Sequence, residues 1–274
     1  MTGFSGNRMD GKVCVVTGAT QGLGAAIARR LAAAGAQGIV ITGRNTARGA
    51  EVARDITATH GTSAHFLQAD FSLVDDCRMV IAETDRLFGR IDVLVNAGAS
   101  TARGTIVDTT PEIFDALFST NVRGPYFLMQ EAIKLMIAKG IEGAICNIGS
   151  ISALAGQPFI NAYCASKAAL STLTANTAFS VVANRIRVNQ LNVGWMDSDH
   201  ERALQAASDP DWEEKAKAAL PFGRLVDPDE AARAVNFLVS ADAGLMTGAI
   251  VNFDQSVWGA VAGGMPVPDG PMAL

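Results

Sequence analysis

The sequence predicts an α/β fold, a doubly wound, seven-stranded parallel sheet with helices on both faces. Three observations carry that prediction. Short runs that are apolar at every position recur along the chain, as strands buried on both faces require. Amphipathic stretches of helical period separate those runs. Glycines, 27 in 274 residues, punctuate the junctions. Neither an internal repeat nor a low-complexity linker interrupts this alternation, so one domain over residues 1–274 is expected.

Taken in order, Lys12–Thr17 reads as the first strand, followed by a helix from Gly22 to Ala34 that stops at Gly35. Ile39–Thr42 is the second strand and Ala47–Thr59 the helix after it, closed by His60-Gly61. Ala64–Gln68, the helix Leu73–Phe88 and the strand Asp92–Val95 follow. Ala144–Ile148, Ile186–Leu191 and Ile250–Phe253 complete the seven strands. Pro111–Met136 is helical in character, but Gly124-Pro125 sits in its middle, where proline costs about 3 kcal/mol. The residues alone favour two helices there, with one kinked helix as the alternative. Two segments depart from the rhythm. Asp197–Leu220 is a charged, alanine-rich insertion with the character of a lid, and Gly259–Leu274 reads as an irregular tail rich in proline and glycine.

Bulk properties exclude several classes of function. A formal charge of -5 argues against nucleic acid or an anionic membrane as partner. Met1–Gly11 carries Arg8 and Asp10 without an apolar run, unlike a signal peptide, and apolar runs elsewhere fall far short of the ~20 residues of a membrane span. A cytoplasmic protein is expected. Cys14, Cys77, Cys146 and Cys164 show no metal-ligand spacing, and no histidine stands near a cysteine pair, so no metal site is expected. Cys14 and Cys146 fall in strands, where they read as small buried apolar residues.

The chemistry begins at Thr17-Gly18-Ala19-Thr20-Gln21-Gly22-Leu23-Gly24, directly after the first strand and opening the first helix. Glycines let a backbone turn sharply beside a pyrophosphate, and the free N–H groups of a helix N-terminus favour its negative charge. A glycine-rich stretch elsewhere would read as a flexible loop; the strand–turn–helix setting favours a Rossmann-like dinucleotide site.

The TGxxxGxG spacing resembles that of the short-chain dehydrogenase/reductase family, and the resemblance runs from about Gly11 to Phe253. It extends to Asn96-Ala97-Gly98 after the fourth strand, the family's NAG element, and to Asp70 after the third, its adenine-contacting acid, with Phe71 beside it. Tyr163 and Lys167 form its YxxxK pair. Four residues apart on a helix, they lie one turn apart on one face. An ammonium there should draw the phenol pKa down from about 10, making Tyr163 a general acid/base. Ser150, thirteen residues before Tyr163, matches the serine that holds the substrate oxygen. Asn121 matches the helix asparagine that anchors a water between lysine and solvent. The family's counterpart of 111–136 is one long helix.

The resemblance implies catalytic residues Asn121, Ser150, Tyr163 and Lys167. It implies a cofactor site of Gly18, Thr20, Gln21, Gly22, Leu23, Gly24, Arg44, Asn45, Asp70, Phe71, Asn96, Ala97, Gly98, Tyr163, Lys167, Val193, Gly194, Met196 and Ser198. Lys167 would hold the nicotinamide ribose, and Ser198 stands where the family has a carboxamide-contacting threonine. At the end of the second strand Gly43 replaces the acid that reads the ribose of NAD, and Arg44 follows, suited to a 2′-phosphate. NADP(H) is therefore preferred over NAD(H), although Gln21 stands where many NADP-preferring members carry a base. Gly38 was expected to lengthen the loop before that strand.

Two departures stand out. Asn192-Val193-Gly194 lacks the family's central proline, which is expected either to loosen the turn under the nicotinamide or to alter which face of the substrate is offered, and Asp254-Gln255-Ser256 replaces D-G-G. The implied activity is hydride transfer between the cofactor and a ketone or secondary alcohol, on a small ketone, sugar, polyol or cyclic alcohol, by a homotetramer or dimer. Selectivity is expected from Ser100–Thr105, Ala153–Phe159, Trp195–Met196 and the 197–220 insertion. Trp195 and Met196 either wall a pocket or pack in the core; Asp199, His200 and Glu201 either meet a polyhydroxylated substrate or are simply solvated. The rival functions are a dinucleotide-sensing regulator and a nucleotide-sugar epimerase or dehydratase.

Overall fold

A computed structural model describes residues 6–154 and 157–257 of the chain. Its seven strands are β1 (Val13–Thr17), β2 (Gly38–Gly43), β3 (Ser63–Gln68), β4 (Val93–Asn96), β5 (Ala144–Ser150), β6 (Arg187–Val193) and β7 (Ile250–Phe253). All pair in parallel, in the order β3-β2-β1-β4-β5-β6-β7. The helices are α1 (Gly22–Ala33), α2 (Thr46–His60), α3 (Val74–Phe88), α4 (Pro111–Phe118), α5 (Gly124–Lys139), α6 (Asn161–Val181), α7 (Asp199–Ala206), α8 (Trp212–Ala219) and α9 (Pro228–Val239).

Strand alternation divides the core into two layers. Cys14, Val16, Ile39, Ile41, Val95 and Cys146 face one side and pack with α1, α2 and α9. Val15, Val40, Leu94, Ile145 and Val188 face the other and pack with α3, α5 and α6. A parallel strand buried on both faces needs an apolar residue at every position, and each fully buried aliphatic side chain contributes about 1.5–3 kcal/mol. The three thiols in these layers follow the same logic. Burial raises the pKa of each, that of Cys146 to about 12 and that of Cys77 to about 11.

Capping sets the helix ends. Asn45 caps α2 by accepting the Arg48 N–H, and Gly61, at φ 70°, closes it. Thr110 caps α4 ahead of Pro111, and Asp227 caps α9 ahead of Pro228. This Asp-Pro-Asp-Glu start is a legible helix signal, although no helix was assigned there from the sequence.

Residues 111–139 are helical throughout and do not split at Gly124-Pro125. Between α4 and α5 runs a π-helical turn, Ser119–Arg123, in which the Gly124 N–H reaches the Ser119 carbonyl. The wider turn accommodates a proline that lacks the donor for an ordinary i−4 bond. Glycine is needed there for a different reason: a Cβ on Gly124 would lie 2.5 Å from the Phe71 carbonyl oxygen.

The 197–220 insertion folds as α7 and α8, with Trp212, Ala216 and Leu225 forming a small core of their own. The tail 259–274 and part of the 153–159 loop lie outside the described residues.

Candidate active site

Strand order reverses between β1 and β4, and in such sheets the crevice beyond the carboxyl ends at that point takes the ligand. A continuous cleft of about 1170 Å³ opens there. The glycine turn, the ends of β2 and β5, the start of α6 and the α7–α8 insertion all line it.

At the glycine turn the backbone is packed too tightly for side chains. Gly18 has φ 64°, and a Cβ on it would lie 2.5 Å from the Gly98 Cα; one on Gly24 would lie 2.4 Å from the Gly18 carbonyl oxygen. Gly22, at φ 53°, faces open space, its nearest neighbour being the Ser198 Cβ at 4.0 Å. The first turn of α1 has no side-chain cap bond and no acid, leaving its N–H groups for an anion. Thr17, unremarked in the sequence, anchors the facing loop: its Oγ1 accepts the N–H of Ala97 at 3.0 Å and of Gly98 at 3.1 Å.

Gly38 does not lengthen a loop. It begins β2 in register with Val13, which brings Gly43 to the strand end and Arg44 to the cleft wall. A Cβ on Gly43 would lie 2.7 Å from the Thr20 methyl, so the cleft has no room for an acid at this position unless Thr20 moves. Arg44 is exposed, and Arg48 donates to the Gln21 side chain. Opposite them, burial works to raise the pKa of Asp70, but hydrogen bonds from Ser72 and the charge of Arg44 outweigh it and hold the carboxyl below its usual range.

Strand β5 runs two residues further than the apolar pattern suggested and ends on Ser150. Ser150, Tyr163 and Lys167 all line the cleft. The Lys167 ammonium donates to the Ile148 carbonyl at 2.9 Å and lies 5.7 Å from the Tyr163 ring centroid. The expected electrostatics are reversed. Burial pushes the Tyr163 phenol up to about 12, and its hydrogen bond with Ser150 only partly opposes this. Burial likewise pushes Lys167 down to about 8. Desolvating the phenolate dominates, and the Lys167 ammonium, turned toward a backbone carbonyl, does not offset it.

Three residues expected at the site do not line the cleft. Asn45 serves as the α2 cap. Asn96 donates to Asn147 at 2.8 Å within the sheet. Asn121 accepts the Ser100 N–H at 2.7 Å and donates to the Ser100 carbonyl and the Ser166 hydroxyl, at 2.9 and 3.0 Å. It thus ties the loop after β4 to α6. The remaining expected residues that line the cleft are Gly18, Thr20, Gln21, Gly22, Leu23, Gly24, Arg44, Asp70, Phe71, Ala97, Gly98, Val193, Gly194, Met196 and Ser198.

Val193 does not loosen its turn. Strand β6 continues through it, pairing it with Ser150 on one side and Phe253 on the other. Below it, Gln190 donates to Asn192 at 2.6 Å and the buried Asn192 donates in turn to the exposed Asn252 at 3.0 Å, a side-chain bond between β6 and β7. A Cβ on Gly149 would strike this pair, 2.0 Å from the Asn192 Oδ1. Gln255 accepts the Phe222 N–H at 2.8 Å and donates to the Arg224 carbonyl at 2.7 Å, fastening the end of the insertion.

Trp195, Met196, Asp199, Glu201, Leu204 and Gln205 form the insertion's side of the cleft. Trp195 and Met196 wall the cleft, and Met196 also packs against the core; Asp199 and Glu201 line the cleft, and the His200 side chain lies outside the described residues.

A family model described as enoyl-(acyl carrier protein) reductase matches residues 18–256. The chain is 32% identical over 259 residues to galactitol 2-dehydrogenase of Agrobacterium fabrum, covering 92% of this chain and 99% of that one. It is 32% identical over 258 residues to sorbitol dehydrogenase of Cereibacter sphaeroides, with the same coverage. Among solved structures, a 3-oxoacyl (acyl-carrier-protein) reductase from Agrobacterium tumefaciens, crystallised with NADP bound, superposes with a TM-score of 0.84 at 29% identity, covering 90% of this chain and 95% of that one. A short-chain type dehydrogenase/reductase from Mycobacterium marinum gives 0.85 at 28% identity, covering 92% and 97%. The chain belongs to the short-chain dehydrogenase/reductase family and is an oxidoreductase acting on the CH–OH/C=O couple.

Proposed function

We propose that the protein interconverts a secondary alcohol and a ketone with NADP(H), Tyr163 moving the proton. The observation that carries this reading is the meeting of Ser150, Tyr163 and Lys167 in the cleft that the glycine turn opens. A dinucleotide fits the turn: Gly22 leaves space where a side chain would intrude, and the first turn of α1 offers uncapped N–H groups without a competing acid. Gly18, Thr20, Gln21, Leu23 and Gly24 would hold the pyrophosphate, Asp70, Phe71, Ala97 and Gly98 the adenosine, and Val193, Gly194, Met196 and Ser198 the nicotinamide. When bound, the nicotinamide supplies or accepts the hydride.

In the reductive direction Ser150 donates to the carbonyl oxygen and steadies its developing charge. Tyr163 is a neutral phenol at physiological pH, because burial raises its proton affinity, and it gives that proton to the oxygen. Lys167, with a pKa near 8, would hold the ribose hydroxyls, its ammonium fixed by the Ile148 carbonyl. Asn121 acts through position, fixing the loop at Ser100 against α6. In oxidation the same atoms run in reverse.

Preference for the phosphorylated cofactor rests on Gly43, where an acid would fit only if the Thr20 side chain moved, and on Arg44 and Arg48, two guanidiniums at the same end. Similarity to galactitol and sorbitol dehydrogenases supports a small alcohol of the polyol type. The test is titration of the full chain with NADPH and NADH, then a panel of ketones, sugars and polyols followed at the nicotinamide absorbance. Tight NADPH binding with turnover is expected; failure to bind either dinucleotide overturns the reading.

A further inference from the structure

The insertion places a carboxylate in the same cleft as Tyr163 that the reaction itself does not use. Glu201 sits in the first turn of α7, where Ser198 is the cap and accepts the Glu201 N–H. Negative charge is favoured at that helix end. Two donors, Trp195 Nε1 at 2.8 Å and Gln205 Nε2 at 2.6 Å, converge on a single oxygen, Oε1. Among the described residues no hydrogen bond goes to Oε2. The side chain is thus fixed in direction by two bonds while keeping an acceptor for something else, on a cleft wall that also carries Trp195, Asp199 and Leu204. Glu201 and Tyr163 line the same cleft, and the Glu201 charge adds slightly to the raised proton affinity of the phenol.

An ionised carboxylate accepts hydrogen bonds and donates none. A hydroxyl is the complementary group, and a charge-assisted bond of this kind is about twice as strong as a neutral one. A carboxylate or phosphate on the substrate would instead meet Glu201, with Asp199 and Asp254 lining the same cleft. At an effective dielectric of about 20, one like charge about 5 Å away lowers binding roughly 300-fold. Arg103, the guanidinium on this side of the cleft, is exposed and lies over the Phe159 ring, 5.7 Å from its centroid.

We propose that Glu201 is a specificity-determining residue: its free oxygen accepts a hydroxyl beyond the reacting carbon of a neutral, polyhydroxylated substrate, and its charge excludes carboxylated and phosphorylated analogues. This rests on the alcohol–ketone reading above. Trp195 and Gln205 act through Glu201 as positioning residues.

The test compares the full-length wild-type enzyme with Glu201→Gln. This variant keeps the shape and can still accept from Trp195, but presents an amide where Oε2 stood. Initial rates with NADP(H) are measured on a hexitol and on 2-hexanol, and on fructose and its 6-phosphate. Each ratio of kcat/KM cancels any change in Tyr163 that affects both substrates alike. The polyol-to-plain-alcohol ratio is expected to fall about 30-fold in Glu201→Gln, and discrimination against the phosphate ester to narrow at least 10-fold. A ratio unchanged within about threefold overturns the proposal, as does a wild-type enzyme that takes the phosphate ester as readily as the free sugar.

Binding is followed separately, by quenching of tryptophan fluorescence as the hexitol is added to the NADP complex. If the wild type turns over no alcohol, the proton-transfer reading fails by itself. Quenching in the wild type that is lost in Glu201→Gln would still support the role of Glu201, and absence of quenching in both would overturn it.

Discussion

Thr17 ends β1 with its side chain fully buried and its hydroxyl shared between two backbone donors of another strand's loop, Ala97 and Gly98. Replacing it by valine keeps the shape and the β-branched preference for strand but removes the acceptor. Both N–H groups, part-buried at the cleft wall, then lose their partner, each at a cost in the lower part of about 1–3 kcal/mol. Because the two share one oxygen, a combined loss of about 2–4 kcal/mol is the expected destabilisation. For a chain of this length that lowers Tm by roughly 10 °C, at about 2–4 °C per kcal/mol. The same two residues wall the cleft, so NADPH affinity should fall about 10-fold as the loop relaxes. Urea unfolding and an NADPH titration measure both effects. Thr17→Ser is the control: it keeps the acceptor and loses one methyl group, worth about 1 kcal/mol. If the valine and serine variants melt within 0.5 kcal/mol of each other (about the scatter of such differences), the hydroxyl is not what holds the loop and the reasoning is refuted.

Two further outcomes follow from the site. Arg44→Ala should weaken NADPH about 10–100-fold, the worth of one charge-assisted contact to a phosphate, while NADH changes by less than about threefold; parallel titrations with equal losses would show that Arg44 does not read the phosphate. Lys167 should give a pH signature in stability. Its pKa is about 8 in the fold, against about 10.4 in an unfolded chain, so between those values the unfolded state binds the extra proton and stability rises with pH. That rise amounts to about 3 kcal/mol, and it should be missing from Lys167→Met when the two proteins are melted from pH 7 to 10. Parallel curves would mean that Lys167 is not desolvated.

The strands were legible because burial on both faces writes itself as uninterrupted apolar runs. Val13–Val16 needs no tertiary context to be recognised. Tyr163 and Lys167 were legible because their spacing, taken with Ser150, Asn121 and the glycine turn, resembles that of a known family; spacing alone would have read as a surface pair. What escaped the sequence depended on partners far along the chain. Thr17 looks like any strand threonine until its hydroxyl meets residues 80 positions away. Asn96 and Asn121 bond across the fold, to Asn147 and to Ser100 and Ser166, whereas Asn45 caps its own helix through Arg48, three residues on. The Tyr163 proton affinity turned on desolvation, which no spacing encodes, and so the expected sign was reversed. Val193 looked like a loosened turn only because the pairing of β6 with β7 could not be foreseen. The Gly124-Pro125 conflict was genuine at the level of propensity. A π turn and the close approach of Phe71 resolve it in three dimensions.

Removing one oxygen tests the central claim most directly. In Tyr163→Phe the ring remains in the cleft and the proton donor is gone. Steady-state reduction of a ketone by NADPH, read at the nicotinamide absorbance, should fall at least 100-fold and as much as 10,000-fold, the usual range for losing a general acid, while the Kd for NADPH stays within about threefold of the wild type. Near-wild-type turnover in that variant would contradict the account, because the proton would then be coming from elsewhere.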